Sequence, residues 1–534
     1  MNKTCKQCGG DFVVKDEDLK FYDKVSPVFG GVKFALPVPE ECPECRMIMR
    51  MIFRNESTLY HRECSKTGVP IISMYDEKAP FPVYSPAEWF GDSWDGRDYG
   101  IDFDFERPFF EQFLELRNKV PHLSLISSNN VNCDFCNIVG DCKDSYLIYG
   151  SIECENCYYG NPFKCRKCCD SLLLRNSELC LQCVDSDKLY SCAYCQNCSN
   201  SRDLQFCYAV YNSSDCFACV NLSHKKYCIL NEQYSEEEYL VKLSIMNKDE
   251  VLLEWESLKA SLPQRYYSGV NNEDVSGNYI FNSKNCHDVY GVSDCRDVKY
   301  CFQMMKVNDI YDVNNGEYGE LDYFIMAINN NVNRSLFSYF LWDGIDSLIY
   351  CGYCNKNVRD CFGSVGLKHA QYCILNKQYS KEEYELMVSR IIKHMMKTGE
   401  WGEFFPAEHS SFAYNESVAS EYFPLSREEV LVRGFKWRDF EGAENKGAKD
   451  AVLCEVTAKP FRIIPQERAM YERFGLELPR RSPKQRHIDR IALRNPMKLW
   501  DGKCVKCGIG FKTIFVPSAS EKVYCEKCYQ GEVY

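Results

Sequence analysis

No run of about 18 apolar residues occurs anywhere in this 534-residue chain, which argues against a helical membrane span. The opening Met1-Asn-Lys-Thr-Cys5 lacks an apolar core segment, so a secretory signal is not expected. There is no P-loop, no dinucleotide-binding glycine fingerprint and no H-E-x-x-H pair, and the commonest sequence routes to nucleotide or metalloprotease chemistry are therefore missing. Positive charge is also short, with 64 Lys and Arg against 76 Asp and Glu. A net charge of −12 and a pI near 5.4 argue against a protein that coats nucleic acid over its whole surface.

Cysteine is what the chain has in excess. Without a secretory signal the expected compartment is the reducing cytoplasm, where 34 cysteines point to metal ligands and small core residues rather than disulfides. Half of them, 17, lie between Cys133 and Cys228, mostly as C-x-x-C pairs. Cys195 and Cys216, Cys198 and Cys219, and Cys207 and Cys228 are each 21 residues apart. Short motifs of one kind run between them: Asp144-Ser-Tyr-Leu, Asp170-Ser-Leu-Leu, Asp203-Leu-Gln-Phe and Asp215-Cys-Phe. A polar turn followed by a brief apolar strand, repeated at a period near 20, predicts a solenoid. On that period Cys195 stacks over Cys216, and Cys198 over Cys219.

The phrase Tyr227-Cys-Ile-Leu-Asn231-Glu-Gln-Tyr-Ser235-Glu-Glu-Glu238-Tyr returns 145 residues later as Tyr372-Cys-Ile-Leu-Asn376-Lys-Gln-Tyr-Ser380-Lys-Glu-Glu383-Tyr. Each copy ends in a capping box that predicts a helix, from about Glu236 to about Leu258 with a frayed middle and from Lys381 to about Lys397. The second copy keeps the rhythm at Asp288 and Asp309 but often places Tyr, Phe, Val or Ile where the first has cysteine. Either the solenoid thiols are small hydrophobes stacked inside a coil, or sets such as Cys154, Cys157, Cys165 and Cys168 chelate further zinc. His224 and His369, also 145 apart, stand four residues before a cysteine; the pair suits a repeated structural position or a Cys–His nucleophile.

Both ends carry metal-ligand spacing. Cys5-Lys-Gln-Cys8-Gly9 with Cys42-Pro-Glu-Cys45, and Cys504-Val-Lys-Cys507-Gly508 with Cys525-Glu-Lys-Cys528, each offer four thiolates to a tetrahedral Zn²⁺, two structural ions in all. Pro43 at the start of a helical stretch suggests a treble clef more than a plain ribbon. With an offset of 440 residues, Cys64 pairs with Cys504, Thr67 with Cys507, and Cys42 with Ser482; Cys454 pairs upstream with Cys5. Cys64 and Cys454 then read as relics of lost sites. Arg46, Arg50 and Arg54, and again Arg486, Arg490 and Arg494, form a stripe on one helical face. From Pro479 to Lys503 eight basic residues stand against Asp489 and Asp501. The stripe suits phosphate contacts to RNA or DNA, with Trp500 for stacking; the reading placed ahead of it is a solvated face, or pairing with carboxylates of the acidic solenoid.

The expected layout is mainly β with α: two tandem parallel β-solenoid arrays, each followed by a helix, between related treble-clef or zinc-ribbon modules. It divides as an N-terminal zinc module with an aromatic, acidic connector (1–105), a helix and linker (106–130), solenoid 1 (131–232), a helical connector (233–275), solenoid 2 (276–377), a helix and aromatic-rich segment (378–440) and a C-terminal module (441–534), with 441–449 as a Gly-rich linker. The function expected is a zinc-binding scaffold or adaptor for a protein or ribonucleoprotein, cytoplasmic and not membrane-bound. The alternative is a carbohydrate-active enzyme on a parallel β-helix, for which Trp94 to Asp104 supplies carboxylates beside aromatic rings. The repeated Y-C-I-L-N-x-Q-Y-S-x-E-E-Y phrase, the block Gly399-Glu-Trp-Gly-Glu-Phe-Phe-Pro406 and the terminal Tyr524-Cys-Glu-Lys-Cys-Tyr529 resemble an uncharacterised family of cysteine-rich repeat proteins with zinc-ribbon or treble-clef ends, found in small-genome candidate-phylum bacteria. The resemblance implies zinc binding and this layout, and no particular activity.

Overall fold

A computed structural model describes residues 1–440, 451–518 and 520–533. The linker expected at 441–449 lies outside the described residues. Two parallel β-solenoid arrays dominate, one from Ser127 to Gln233 and one from Gly269 to Gln378. The second therefore opens several residues ahead of the boundary expected at 276.

The coil is tighter than a period near 20. Val131 pairs with Lys143, Cys180 with Cys192, Leu204 with Cys216 and Cys216 with Cys228, a step of 12 residues. In the later coils of the second array the step widens to 13, as in Gly319 with Val332 and Asp346 with Arg359, and returns to 12 at Phe362 with Ile374. The expected stacking of Cys195 over Cys216 and of Cys198 over Cys219 is thus corrected. Cys195 lies against Cys183 and Cys207 in the neighbouring coils. A spacing of 21 is a multiple of three but not of 12, so it preserves a residue's role and changes its side of the coil.

The role is set by a triplet. From Asn129 to Leu230 a left-handed residue recurs every third position, with one slip near Gly160, and the non-glycine examples have φ between 47° and 61°. Left-handed backbone disfavours most L-residues by about 1–2 kcal/mol, and Asn and Asp tolerate it best. Asn132, Asp141, Asp144, Asn156, Asp170, Asp203 and Asp215 all stand at such corners. A corner every three residues and 12 residues per turn make a four-sided coil. Gly160 and Gly277 mark a short coil in each array, where a Cβ would fall 1.9 and 1.8 Å from the carbonyl oxygens of Ser171 and Val289.

The residue after each corner points inward, and this explains the cysteines. A narrow coil admits only modest side chains, and 15 of the thiols between Cys136 and Cys228 lie in one buried cluster with Val, Ile and Leu. Each inward sulfur also meets the carbonyl two residues back, which already accepts a backbone N–H from the next coil, as in Cys157 to Glu155 O at 3.5 Å and Cys195 to Ala193 O at 3.4 Å. Serine occupies the same position with the same bond: Ser186 Oγ donates to Val184 O at 2.9 Å and accepts from Cys198 N at 3.1 Å. Cysteine combines apolar bulk with a weak donor, which suits an interior lined by backbone oxygens.

The described residues divide into two compact units, each assembled from distant segments. One holds residues Met1–Ser124 and Gly269–Asp439, so the N-terminal module belongs with the second array. Here the helix Lys381–Thr398 follows the array, its capping box formed by Ser380 and Glu383, and Gly399 ends it at φ 77°. The other unit holds Leu125–Ser268 and Phe440–Tyr534, joining the C-terminal module to the first array. Its expected single helix after the array is two, Glu236–Ile245 and Lys248–Ser261, with Asn247 capping the second. Among the described residues no helix is long and apolar enough to cross a membrane.

Candidate metal centres

Cys5, Cys8, Cys42 and Cys45 converge in the first unit, and Cys504, Cys507, Cys525 and Cys528 in the second; within each set the ligand atoms lie within 4.8 Å of one another. The sulfurs of Cys8 and Cys42 are 3.8 Å apart, and those of Cys507 and Cys525 3.7 Å. Four thiolates at the usual Zn–S distance of about 2.3 Å have a tetrahedral edge of about 3.8 Å, so the donor set and its size fit a divalent cation of that kind. All four positions come from the chain, which leaves none for a substrate.

Local backbone makes both sites alike. Cys5 N donates to Gly10 O at 2.8 Å and Gly9 N to Cys5 O at 2.9 Å; Cys504 N donates to Ile509 O at 2.8 Å and Gly508 N to Cys504 O at 2.9 Å. Each knuckle turns on its glycine, Gly9 at φ 71° and Gly508 at φ 76°. The second cysteine pair opens a helix, Cys42 before Pro43–Met51 and Cys525 before Glu526–Val533. In the metal-free geometry Cys42 is held down to about 5, first by the Cys45 thiol it accepts from, and Cys45 is correspondingly raised. A bound cation would let all four ionise.

The segments around Cys64 and Cys454 share the knuckle backbone without the ligand set. Cys64 N donates to Val69 O at 2.9 Å, and Cys454 N to Lys459 O at 3.0 Å, in the same knuckle. Where the metal-bearing halves have Cys42 and Cys525, these have Ser482 and Ser85, whose hydroxyls accept from Gln485 N at 3.3 Å and Glu88 N at 3.4 Å. A serine N-cap thus takes over the helix start that a ligand holds elsewhere. Among the described residues the two four-cysteine sets are the groups that gather as metal ligands. The solenoid sets, such as Cys154 with Cys157, Cys165 and Cys168, instead fill the coil interior.

The arginine stripe resolves toward pairing. Arg46 Nε and Nη2 donate to the two oxygens of Asp312 at 3.0 and 2.9 Å, and Arg50 Nη1 to Asp312 Oδ1 at 2.9 Å. Arg50 also reaches Asn314 Oδ1 and Tyr300 O. In the other unit Arg486 and Arg490 share Asp170 at 2.9 and 3.0 Å, Arg486 takes Glu467 at 2.7 Å, and Arg494 takes Asp185 at 2.8 Å. Arg54 pairs with Glu56 at 2.6 Å. Asp312 and Asp170 are fully buried corner residues of their coils. The six arginines expected as phosphate contacts are therefore enclosed, with side chains no more than 6% exposed, and cannot meet an external strand. Trp500 is half-buried at the start of the hairpin strand Trp500–Lys503.

Other candidates stay apart. Trp89 and Trp94 are buried, Asp95 pairs with Arg97 at 2.6 Å, Asp102 with Lys377 at 2.5 Å, and Asp104 accepts from Glu106 N. These carboxylates each serve a separate partner. His224 and His369 are exposed corner residues, while Cys228 and Cys373 are buried inside their coils. The sequence reading did not single out Asp312, Asp170, Asp185 and Glu467 as the partners of these arginines. Locally, Asp170-Ser is indistinguishable from Asp144-Ser; only the neighbouring helix selects it.

No protein-family model matches the chain, and no curated protein matches it. Among solved structures, a putative acetyltransferase from Desulfovibrio desulfuricans G20 matches at 8% identity, over 46% of this chain and 63% of that one, with a TM-score of 0.11. The match spans under two thirds of that protein, and a score so low carries no argument about fold or activity.

Proposed function

We propose that this chain is a zinc-stabilised scaffold whose two solenoid arrays present extended surfaces to a protein or ribonucleoprotein partner. The observation that carries the reading is the closed four-thiolate set at each end. A catalytic zinc keeps one position open for water or substrate, whereas four protein thiolates serve structure. In the first unit that set sits at the start of the helix carrying Arg46 and Arg50, so metal binding and docking on Asp312 lie on one element. In the second, the helix after Cys525 places the Tyr529 hydroxyl 3.1 Å from Asn221 Oδ1 of the first array. Solenoids supply long faces without a dedicated pocket, which suits an adaptor. Affinity capture on the metal-loaded protein from native lysate, with and without nuclease, tests the reading. A defined partner retained by the native protein and lost after chelation is expected. Retention unaffected by chelation, or hydrolysis of a polysaccharide by the purified protein, would overturn it.

A further inference from the structure

One side of the first array changes character along its length. Its outward residues stack in register as Lys143, Glu155, Arg166, Glu178, Tyr190, Arg202, Ser214 and Lys226. In the early coils charge is balanced: Arg166 lies 3.4 Å from Glu155, and on the adjoining corner Lys164 lies 2.9 Å from Glu153. In the last coils the balance fails. A solvent-open cavity of about 650 Å³ is lined there by Lys188, Arg202, His224, Lys225 and Lys226 together with Asn and Ser, and by no carboxylate.

Among the described residues Arg202, Lys225 and Lys226 enter no ion pair; Lys226 engages Tyr227, lying over its ring at 4.2 Å and hydrogen-bonding with its side chain. Lys188 has Asp187 at 4.0 Å. Asp215 and Glu236 act on Lys226 from outside the cavity. Lys225 occupies a position that would point inward in an earlier coil, yet it is exposed here. Successive coils are about 4.8 Å apart, so Arg202 and Lys226, two coils apart, stand about 10 Å from each other along the axis. Tyr190, 47% exposed, continues the same column one coil before Arg202.

We infer that this face binds single-stranded nucleic acid, with Arg202, Lys225 and Lys226 on successive phosphates and a base stacked on Tyr190. Cations tracking a backbone beside an exposed ring are what sequence-tolerant single-strand recognition needs, and an acidic peptide would leave the ring without a role. The inference goes beyond the scaffold reading by naming the partner's chemistry at one surface. It rests on that reading only in treating the arrays as binding faces.

The test is fluorescence anisotropy of the full-length, metal-loaded protein with a labelled 12-nucleotide oligouridylate, over a series of salt concentrations. The variants are Arg202→Gln/Lys225→Gln/Lys226→Gln together, and Tyr190→Ala. All four side chains are exposed, so unchanged melting curves should confirm intact folding. The triple variant should flatten the slope of log affinity against log salt by about two, at roughly 0.7 per phosphate, and weaken binding at least tenfold. Tyr190→Ala should weaken it by about five- to a hundredfold with the slope unchanged. No binding by the native protein at low salt, an unaltered slope in the triple variant, or equal competition by polyglutamate would each overturn the proposal. None of these outcomes alters a partner captured from nuclease-treated lysate, so the scaffold reading fails or stands separately.

Discussion

Replacing Asp170 by Asn tests the docking of the C-terminal module on the first array. Asparagine tolerates the left-handed corner as aspartate does, so the backbone at φ 54° is not the variable. What changes is charge. Asp170 is fully buried and holds Arg486 at 2.9 Å and Arg490 at 3.0 Å, both guanidiniums nearly enclosed. Removing one partner of a buried ion pair costs about 3–5 kcal/mol, because the stranded charge stays desolvated. Glu467 still faces Arg486, at 2.7 Å, but Arg490 keeps only the amide oxygen of Gln182 at 2.9 Å, so the loss should fall within that range. For a folding unit of this size each kcal/mol moves the midpoint by about 2–4 °C, which gives a fall of roughly 6–20 °C. Differential scanning calorimetry should show that fall in one of two transitions, with the other in place. The control is Asp203→Asn, at an exposed corner without an ion pair, expected within about 0.5 kcal/mol of native. A midpoint for Asp170→Asn within 2 °C of the control would refute the claim that the arginine stripe is a docking device.

Three further outcomes follow from the same geometry. Cys195→Ser should be nearly neutral, since serine already makes the same carbonyl bond at equivalent positions, while Cys195→Leu should cost about 1–3 kcal/mol by overpacking; chemical denaturation reads both. Asp215→Asn should fold normally, whereas Asp215→Val places a β-branched residue at φ 54° and should destabilise the first array by about 1–3 kcal/mol in the same assay. Metal retention should hold at pH 7 and be lost as pH falls. Thiolate is the binding form. Cys42 is held down by the hydrogen bond from Cys45 and Cys504 by backbone N–H donors that outweigh its burial, whereas Cys45 and Cys528 in the same sets are raised, so acid returns protons to the ligands and displaces the metal. Dialysis across pH with elemental analysis of the protein checks it, and loss already at pH 8 would count against the thiolate account.

The solenoid was legible because its chemistry repeats, and the period was misread for the same reason. Cys195 and Cys216 share an inward role, and a triplet code makes every multiple of three look like a period. The step of 12 is carried by backbone register and by Asn and Asp at corners, as in Asn132 Nδ2 to Asp144 Oδ1 at 2.8 Å, a signal spread too thinly for cysteine spacing to reveal. The two four-cysteine sets were legible because pair spacing is local, and Cys5 with Cys8 already specifies a knuckle. The fate of the arginines was not. Arg46 and Arg486 meet acceptors 266 and 316 residues away in sequence, at Asp312 and Asp170, and pairing over that distance depends on which array each module joins. The two helices after the first array differ from the single one expected because Met246-Asn247 breaks the run and Asn247 caps a second start.

Two structural metal sites, one in each four-cysteine set, would hold the terminal modules in shape. Elemental analysis of protein purified without chelator measures them directly, on the native chain and on Cys8→Ser. Two zinc ions per native chain and one in the variant, with the arrays still folded by circular dichroism, are the predicted result. No zinc in the native protein, four or more ions per chain, or an undiminished count in Cys8→Ser would contradict it.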